Sequence, residues 1–176
     1  MNTLIANRRS IRKFDPSVEI PKADLLEMLK AAQFAPSACN SQPWSYVVAE
    51  TPEIVEKVAK CGQQMRMNPF LTQAKAFIIV LEEHAVLRAA VSGLLDSQYF
   101  AKGDLGATTV QICLEAEAQG LGTCIIGVYD RVKLCELLNI PQEKQFAAFI
   151  AVGYPAGDDV VRPKDRKALA DIARYV

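Results

Sequence analysis

The segment 8–12 concentrates side chains that bind anions. Arg8, Arg9 and Arg12 supply guanidinium groups, and Ser10 supplies a hydroxyl. A phosphate monoester is bound well by charged donors that make two hydrogen bonds at once, so this segment is a candidate phosphate site. Taken alone, such residues more often form a solvated basic arm.

A second candidate is the loop 36–44, between a predicted helix and a predicted strand. Ser37, Asn40 and Gln42 offer hydroxyl and amide groups, and Trp44 follows them. Asn and Gln amides both donate and accept hydrogen bonds, which suits the edge of a heteroaromatic ring, and loops between rigid elements often carry binding groups. The alternative is a turn capped by Ser37 and Asn40. For Trp44 itself we expect a core position rather than a ligand contact.

A third candidate is the basic cluster 162–167, which follows the Gly-Tyr-Pro sequence at 153–155. Lys164 and Arg166 are two residues apart, so they project to the same side of an extended backbone. The clusters 8–12 and 162–167 could meet on one phosphate or form two unrelated charged surfaces. Their spacing does not choose between these alternatives.

The sequence lacks the patterns of several other kinds of site. It has no GxGxxG or Walker A motif, and its one histidine, His84, has no Ser or Cys partner in a motif. Five cysteines without a CxxC pair give no zinc constellation, and reduced thiols favour a cytoplasmic location. Zero net charge gives no reason to expect nucleic acid as a partner, and no apolar run is long enough to span a membrane.

Alternating helices and strands must position these segments. Apolar spacing, capping residues (Thr51 and Asp130) and glycine stops predict helices at about 20–35, 52–65, 96–119 and 130–138, and a helix or arm at 166–175. Apolar and β-branched runs predict strands at 45–49, 76–81, 123–128 and 146–154. The chain of 176 residues is 51% hydrophobic and has no repeat or linker, so we expect one α+β domain over residues 1–176.

The order of these motifs resembles the nitroreductase family over residues 5–166. The motifs are Arg-Arg-Ser-Ile-Arg-Lys-Phe at 8–14, Ala-Pro-Ser-Ala-Cys-Asn-Ser-Gln-Pro-Trp at 35–44, Gly-Leu-Gly-Thr-Cys at 120–124, Gly-Tyr-Pro at 153–155 and Pro-Lys-Asp-Arg at 163–166. The resemblance implies an α+β sandwich with a mostly antiparallel central sheet flanked by helices. It also implies an FMN-dependent oxidoreductase that uses NAD(P)H, and a homodimer with FMN at the subunit interface.

The resemblance assigns cofactor contacts to two sets of residues. The first set would hold the phosphate and ribityl chain or lie near the pyrimidine edge of the flavin: Arg8, Ser10, Arg12, Lys164 and Arg166, with Arg9 at a position that varies in the family. The second set would reach the isoalloxazine ring: Pro36, Ser37 and Asn40 from a loop that often serves the partner subunit, and Ile126 and Gly127 through their backbone.

Some departures from the family pattern limit what the resemblance implies. Ile126 is aliphatic where some relatives carry an acid, so only backbone contact is inferred there. Cys39 stands where a smaller residue is common. The segment 63–96, which often shapes the acceptor pocket, has no large insertion, so the acceptor is not predicted.

The implied mechanism is a ping-pong hydride transfer from NAD(P)H through FMN to a small organic acceptor of the nitroaromatic, quinone or flavin type. The cofactor carries the redox chemistry, so no catalytic side chain or metal is expected. An alternative is a flavin carrier or redox-responsive module without significant turnover. A phosphate-binding or RNA-binding domain is a further alternative, and zero net charge counts against it.

Overall fold

The computed structural model describes residues 2–92 and 96–176, and within them the core is a four-stranded antiparallel sheet. The strands are Trp44–Ala49 (β1), Ala76–Glu82 (β2), Gly122–Ile125 (β3) and Phe146–Gly153 (β4). They lie in the order β1-β2-β4-β3, and each neighbouring pair is antiparallel. β2 and β4 are therefore central, and β3 lies at an edge.

The central strand β2 is apolar at successive positions because both faces of the sheet are covered. Phe77 and Ile79 pack into the core on one face, and Ile78 and Val80 pack into the core on the other. All four side chains are fully buried. Successive side chains of a strand point to opposite faces, so a strand covered on both sides has no solvent-facing position.

Two layers of helices cover the sheet. The helices of the described residues are Thr3–Asn7 (α1), Lys22–Gln33 (α2), Pro52–Cys61 (α3), Ala89–Ser92 (α4), Ser97–Ala118 (α5), Arg131–Leu138 (α6) and Leu169–Ile172 (α7). α2 and α5 cover one face, where Met28 and Ile112 are buried, and α3 and α6 cover the other, where Val58 and Leu134 are buried. The predicted α+β sandwich is confirmed. Within residues 2–92 and 96–176, no helix is both long and apolar enough to cross a bilayer.

Local signals explain where several helices begin and end. The Asp96 and Asp130 carboxylates accept the backbone N–H groups two and three residues later, at 3.0 and 3.1 Å, and so cap α5 and α6. Gly120 follows α5 with a φ of 75°, a conformation that glycine adopts without a steric penalty. The predicted cap at Thr51 is wrong in detail, because its side chain makes no hydrogen bond at the start of α3.

Two predicted bounds are wrong, those of α3 and β3. α3 ends at Cys61 rather than near residue 65, because Met65 and Arg66 have positive φ angles of 55° and 60° and cannot continue a helix. β3 ends at Ile125 rather than at 128. The segment 166–175, for which the sequence left a helix or an arm open, is an exposed arm with only the short helix Leu169–Ile172, since no core surface lies against it to stabilise a longer one.

Candidate functional site

The N-terminal basic segment is fixed to the sheet by two buried side chains, Ile11 and Phe14. The Ile11 N–H donates to the Thr123 carbonyl in β3 at 2.9 Å, and Phe14 forms an antiparallel bridge with Pro155. Ile11 is 2% exposed and Phe14 is 1% exposed. Because these two apolar residues face the core, the polar residues around them are left on the outside.

Two glycines directly opposite each other make room for these anchors. Gly122 in β3 pairs with Gly153 in β4. A methyl group on Gly122 would lie 2.9 Å from Ile11 Cβ, and one on Gly153 would lie 2.8 Å from Phe14 Cδ1. Both distances are well below the ~3.5–4.0 Å at which carbon atoms attract each other, so a larger residue at either position would displace an anchor.

The chain after β4 returns to the basic segment. The Ala156 N–H donates to the Lys13 carbonyl at 3.0 Å, and ion pairs join Arg9 to Asp159 and Lys13 to Asp158. The Arg9–Asp159 pair is largely buried, with side chains 24% and 12% exposed. Sequence reasoning missed the two aspartates. Their only signal is that they are adjacent acids just before the basic cluster 162–167.

Lys164 joins the second basic cluster to the first. Its ammonium donates to the carbonyl of Ala6 and, at 2.7 Å, to the carbonyl of Arg8. These carbonyls lie at the end of α1, where backbone acceptors lack partners within the helix. The Arg166 guanidinium donates to the Asp165 carbonyl at 2.7 Å and lines the same cavity as Arg8. The two clusters, left open in sequence as one site or two, therefore meet.

The cavity between the two clusters has a volume of about 590 Å³. Seven basic and three acidic residues contribute to its lining, which consists of Arg8, Arg9, Ser10, Arg12, Lys13, Asp158, Asp159, Val160, Arg162, Pro163, Lys164, Asp165 and Arg166. Among the ion pairs formed by the described residues, none involves Arg8, Arg12 or Arg166. A concave site with this excess of positive charge attracts anions.

Two thiols lie beneath this basic segment and remain uncharged. Burial raises the pKa of the Cys113 thiol, and a hydrogen bond with Thr123 and the nearby charge of Arg8 offset only part of that rise. Burial likewise raises the pKa of the Cys124 thiol, against the opposing charge of Arg12. Neither thiol therefore supplies a negative charge that would compete with an anion for the guanidinium groups.

The loop that contains Pro36, Ser37 and Asn40 does not line this cavity. It lies against α5, where the Ala38 N–H donates to the Asp104 carboxylate at 3.1 Å. Within one chain, the structure therefore keeps the two halves of the predicted flavin site apart. Sequence reasoning did not single out Asp104, because nothing in its neighbourhood indicates that it holds a loop 66 residues earlier.

The same loop has an unusual backbone. Cys39, Asn40 and Gln42 have φ angles of 54°, 53° and 48°, a region that is sparsely populated by residues other than glycine. The Ser37 hydroxyl accepts the Gln42 N–H at 3.0 Å and closes the turn. Trp44 is partly buried and packs against the core on the α2–α5 face, as predicted. The segment 65–68 has a comparable set of three positive φ angles, so this backbone by itself does not mark a functional site.

Ile126 and Gly127 directly follow β3, the strand that binds the basic segment through the Thr123 carbonyl. Ile126 is 4% exposed, and its N–H donates to the Phe149 carbonyl at 2.7 Å. Its side chain belongs to the core, so it could meet a ligand only through its carbonyl. Gly127 is exposed, with no atom within 4 Å of the position of a Cβ, and its N–H has no backbone partner within the described residues. Open space thus adjoins this backbone.

The remaining polar residues give no sign of a metal centre. In residues 2–92 and 96–176, no group of His, Cys, Asp and Glu side chains is arranged to hold a metal ion. The segment 63–96, which the family resemblance associates with the acceptor pocket, includes residues 93–95, which lie outside the described residues. Its described part includes the short turns Gln64–Arg66 and Pro69–Gln73.

Comparison with known proteins identifies the class that this fold and site define. The model of the Nitroreductase family matches residues 5–154. An Archaeoglobus fulgidus protein, provisionally named an NADH dehydrogenase/NAD(P)H nitroreductase, is 32% identical over 168 residues, which cover 93% of this chain and 90% of that protein. The NADH dehydrogenase of Thermus thermophilus is 30% identical over 179 residues, which cover 88% of this chain and 86% of its own.

A solved structure agrees with the fold. A provisionally named nitroreductase from Exiguobacterium sibiricum, crystallised in complex with FMN, superposes with a TM-score of 0.84 at 23% identity, covering 98% of this chain and 95% of that chain. The chain belongs to the nitroreductase family. The resemblance seen in the sequence motifs is confirmed.

Proposed function

We propose that this protein binds FMN and acts as an oxidoreductase that takes hydride from NAD(P)H. The observation that carries the proposal is the cavity of about 590 Å³, in which segments near residues 8–12 and 162–166 bring together guanidinium groups, several of which form no ion pair within the described residues. Family membership supports the same function, since relatives are named as NAD(P)H nitroreductases and a structural neighbour was crystallised with FMN.

The residues of the cavity fit the phosphate end of FMN. Arg8 and Arg166 are free of ion pairs within the described part of the chain, and the exposed Ser10 hydroxyl lies between Arg8 and Arg12 in sequence. Guanidinium–phosphate contacts are charged and often bidentate, which makes them among the stronger hydrogen bonds in proteins. Arg9 is held by Asp159, so we assign it to fixing the C-terminal segment as much as to the phosphate.

The open backbone at Gly127 fits the ring of the flavin. Its N–H can donate to a ring heteroatom, and the lack of a side chain lets a flat ring approach closely. The Arg12 guanidinium supplies a fixed positive charge that stabilises negative charge on a bound ring system. When bound, FMN supplies the redox chemistry, accepting hydride from NAD(P)H and passing it to a small organic acceptor in two half-reactions.

The other half of the site is proposed to come from a second copy of this chain. The loop with Pro36, Ser37 and Asn40 does not line its own chain's cavity, and in the proposed two-fold dimer it adjoins the partner's cavity. The exposed face of α5 supports this, because Gly103 and Gly106 there have open space on the Cβ side. We expect a homodimer whose mass does not depend on FMN, checked by light scattering.

Five free thiols favour a reducing compartment, so the cytoplasm is the proposed location.

The test of function begins with the visible spectrum of the purified protein, reconstituted with FMN and mixed anaerobically with NADH and then with NADPH. We expect flavin absorbance that is lost within a stopped-flow trace for at least one donor. Bound FMN that stays oxidised with both donors would favour a flavin carrier. A protein that takes up no FMN would contradict the proposal.

The double variant Arg8→Ala/Lys164→Ala tests which residues hold the cofactor. Loss of the Arg8 guanidinium removes a charged hydrogen bond worth ~1.5–3 kcal/mol, and loss of the Lys164 ammonium removes the contacts with the Ala6 and Arg8 carbonyls that join the two clusters, so we expect FMN to bind ~10-fold or more weakly while the protein stays folded. The matched control is Lys57→Ala/Arg174→Ala, which removes two exposed positive charges that do not line the cavity. Retention of stoichiometric FMN by the first variant would refute the phosphate site.

A further inference from the structure

The basic cavity carries more positive charge than one phosphate monoester requires. Two of its acids already pair with Arg9 and Lys13, and Lys164 is engaged by backbone carbonyls. The guanidinium groups left without an ion pair within the described residues are Arg8, Arg12, Arg162 and Arg166. A phosphate monoester carries a charge of only about −1.5 to −2 near neutral pH.

Arg162 differs from the other three in its position. It lines the cavity of about 590 Å³ and also an adjacent cavity of about 530 Å³. The second cavity shares Arg9, Pro163 and Lys164 with the first, and Glu117 of α5 is the one acid in its lining. Arg162 is exposed, so its guanidinium is accessible from solvent. It therefore lies at the boundary of the two cavities, beside the site proposed for the FMN phosphate.

We propose that Arg162 binds the pyrophosphate of the hydride donor, at a subsite that adjoins the FMN phosphate site. This inference rests on the proposed function, because it places a second ligand next to a bound flavin. Arg162 is not one of the residues assigned to FMN, and its proposed ligand is the pyrophosphate of NAD(P)H rather than the FMN phosphate.

The chemistry of the two ligands explains why their phosphates meet. In FMN a five-carbon ribityl chain separates the ring from its phosphate, and in NAD(P)H a ribose separates the nicotinamide from the pyrophosphate. Hydride transfer requires the two rings to be in contact, at a distance of ~3–3.5 Å between reacting atoms. If both chains ran in the same direction from the stacked rings, the two phosphate groups would lie side by side, and their combined negative charge would require cations beyond those assigned to the FMN phosphate.

Arg162 suits this second role for two reasons. Its planar fork matches two phosphate oxygens at once, which an ammonium group does not do. Of the four guanidinium groups without an ion pair in the described part of the chain, it is also the one that lines the second cavity, where a ligand that enters and leaves in every turnover can bind beside a resident cofactor. The Glu117 carboxylate, on the wall of the second cavity, opposes anion binding there and limits the affinity.

The test uses ADP-ribose, which has the pyrophosphate but no nicotinamide, so binding is measured without turnover. It is titrated by calorimetry into the FMN-loaded, oxidised protein. We expect Arg162→Ala to weaken ADP-ribose binding by ~10-fold or more, with Arg162→Lys in between. Glu117→Gln should tighten binding several-fold. Arg174→Ala, further along the same exposed arm, is the matched control and should stay within about twofold of wild type.

Two further measurements separate the subsite from the FMN site. We expect the FMN dissociation constant of Arg162→Ala to stay within about twofold of wild type, and the concentrations of NADH and NADPH that half-saturate flavin reduction to rise by similar factors. A loss confined to NADPH would overturn the pyrophosphate assignment, as would FMN loss equal to that of Arg8→Ala. Failure of the wild-type protein to bind FMN would instead refute the proposed function.

Discussion

Substitution of Gly122 by alanine should weaken FMN binding through the anchor of the basic segment rather than through any contact with the cofactor. The new methyl group would lie 2.9 Å from Ile11 Cβ and 3.2 Å from Ile11 Cγ2, and closer still to Cγ1. The Cβ atom is next to the backbone, so rotation of the Ile11 side chain cannot relieve the clash. The segment that carries Ser10 and Arg12 must therefore move away from β3.

The expected cost follows from the packing. Inserting a methyl group into a well-packed core costs ~1–3 kcal/mol, so the free energy of unfolding in urea should fall by that amount. Displacing Ser10 or Arg12 enough to lose one charged hydrogen bond costs a further ~1.5–3 kcal/mol of binding, which weakens FMN by ~10-fold or more. FMN affinity is measured from the quenching of flavin fluorescence, at a temperature at which circular dichroism shows a folded protein.

A double-mutant cycle identifies the cause. Ile11→Ala alone should cost ~2–5 kcal/mol, because a fully buried side chain is removed. In Gly122→Ala/Ile11→Ala the added methyl no longer meets Cγ1 and Cγ2, so the double variant should be more stable than the sum of the single changes by about 1 kcal/mol. Gly157→Ala is the matched control, since nothing lies within 4 Å of its Cβ position. Unchanged stability and FMN affinity in Gly122→Ala would refute the reasoning.

Two further predictions concern polar contacts away from the cavity. Glu83→Gln should lower the free energy of unfolding by up to about 1 kcal/mol at pH 7, because hydrogen bonds from Lys144 and Ser45 hold the pKa of the Glu83 carboxyl below its ordinary value of 4.5. A lowered pKa stabilises the fold only at pH values where the carboxylate is charged. In urea titrations, the difference in the free energy of unfolding between wild type and Glu83→Gln should therefore shrink as the pH falls below about 4.5 and through the pKa of the folded state. A difference that stays constant down to about pH 3 would contradict this. Asp104→Ala should weaken FMN binding ~3–10-fold by freeing the loop at the Ala38 N–H, whereas Asp104→Asn keeps an acceptor and should bind normally; equal FMN affinity of all three proteins would exclude a positioning role.

Much of the fold could be predicted because its signals are local. The Asp96 and Asp130 caps act on backbone groups within three residues, and both helices begin where the sequence indicates. The run 76–81 is apolar at each position, and β2 is buried on both faces. For 166–175 the sequence left a helix and an arm open, and the structure has the arm, because periodicity stabilises a helix only when its apolar face packs against the core, and Leu169 and Ile172 are exposed.

In the candidate site, too, some features could be predicted from the sequence and others could not. Residue types alone indicated that Arg8, Ser10 and Arg12 could bind a phosphate, and the motif order indicated the family. Spacing could not show that Lys164 reaches the Arg8 carbonyl, 156 residues earlier, because that contact depends on the path of the chain after β4. The role of Asp104 was likewise invisible in the sequence, since a single acid on a helix surface is ordinary.

The sequence by itself determined which side-chain groups are present, namely the guanidinium groups at 8–12 and the amides at 40–42, as well as the family and most of the elements that carry these groups. Only the tertiary structure decided that Gly122 and Gly153 lie opposite each other beneath Ile11 and Phe14, and that the loop at 36–42 lies outside its own chain's cavity. The physical reason is the distance along the chain over which each interaction acts. Capping, propensity and periodicity act over a few residues, whereas strand register and close packing are set by the whole core at once.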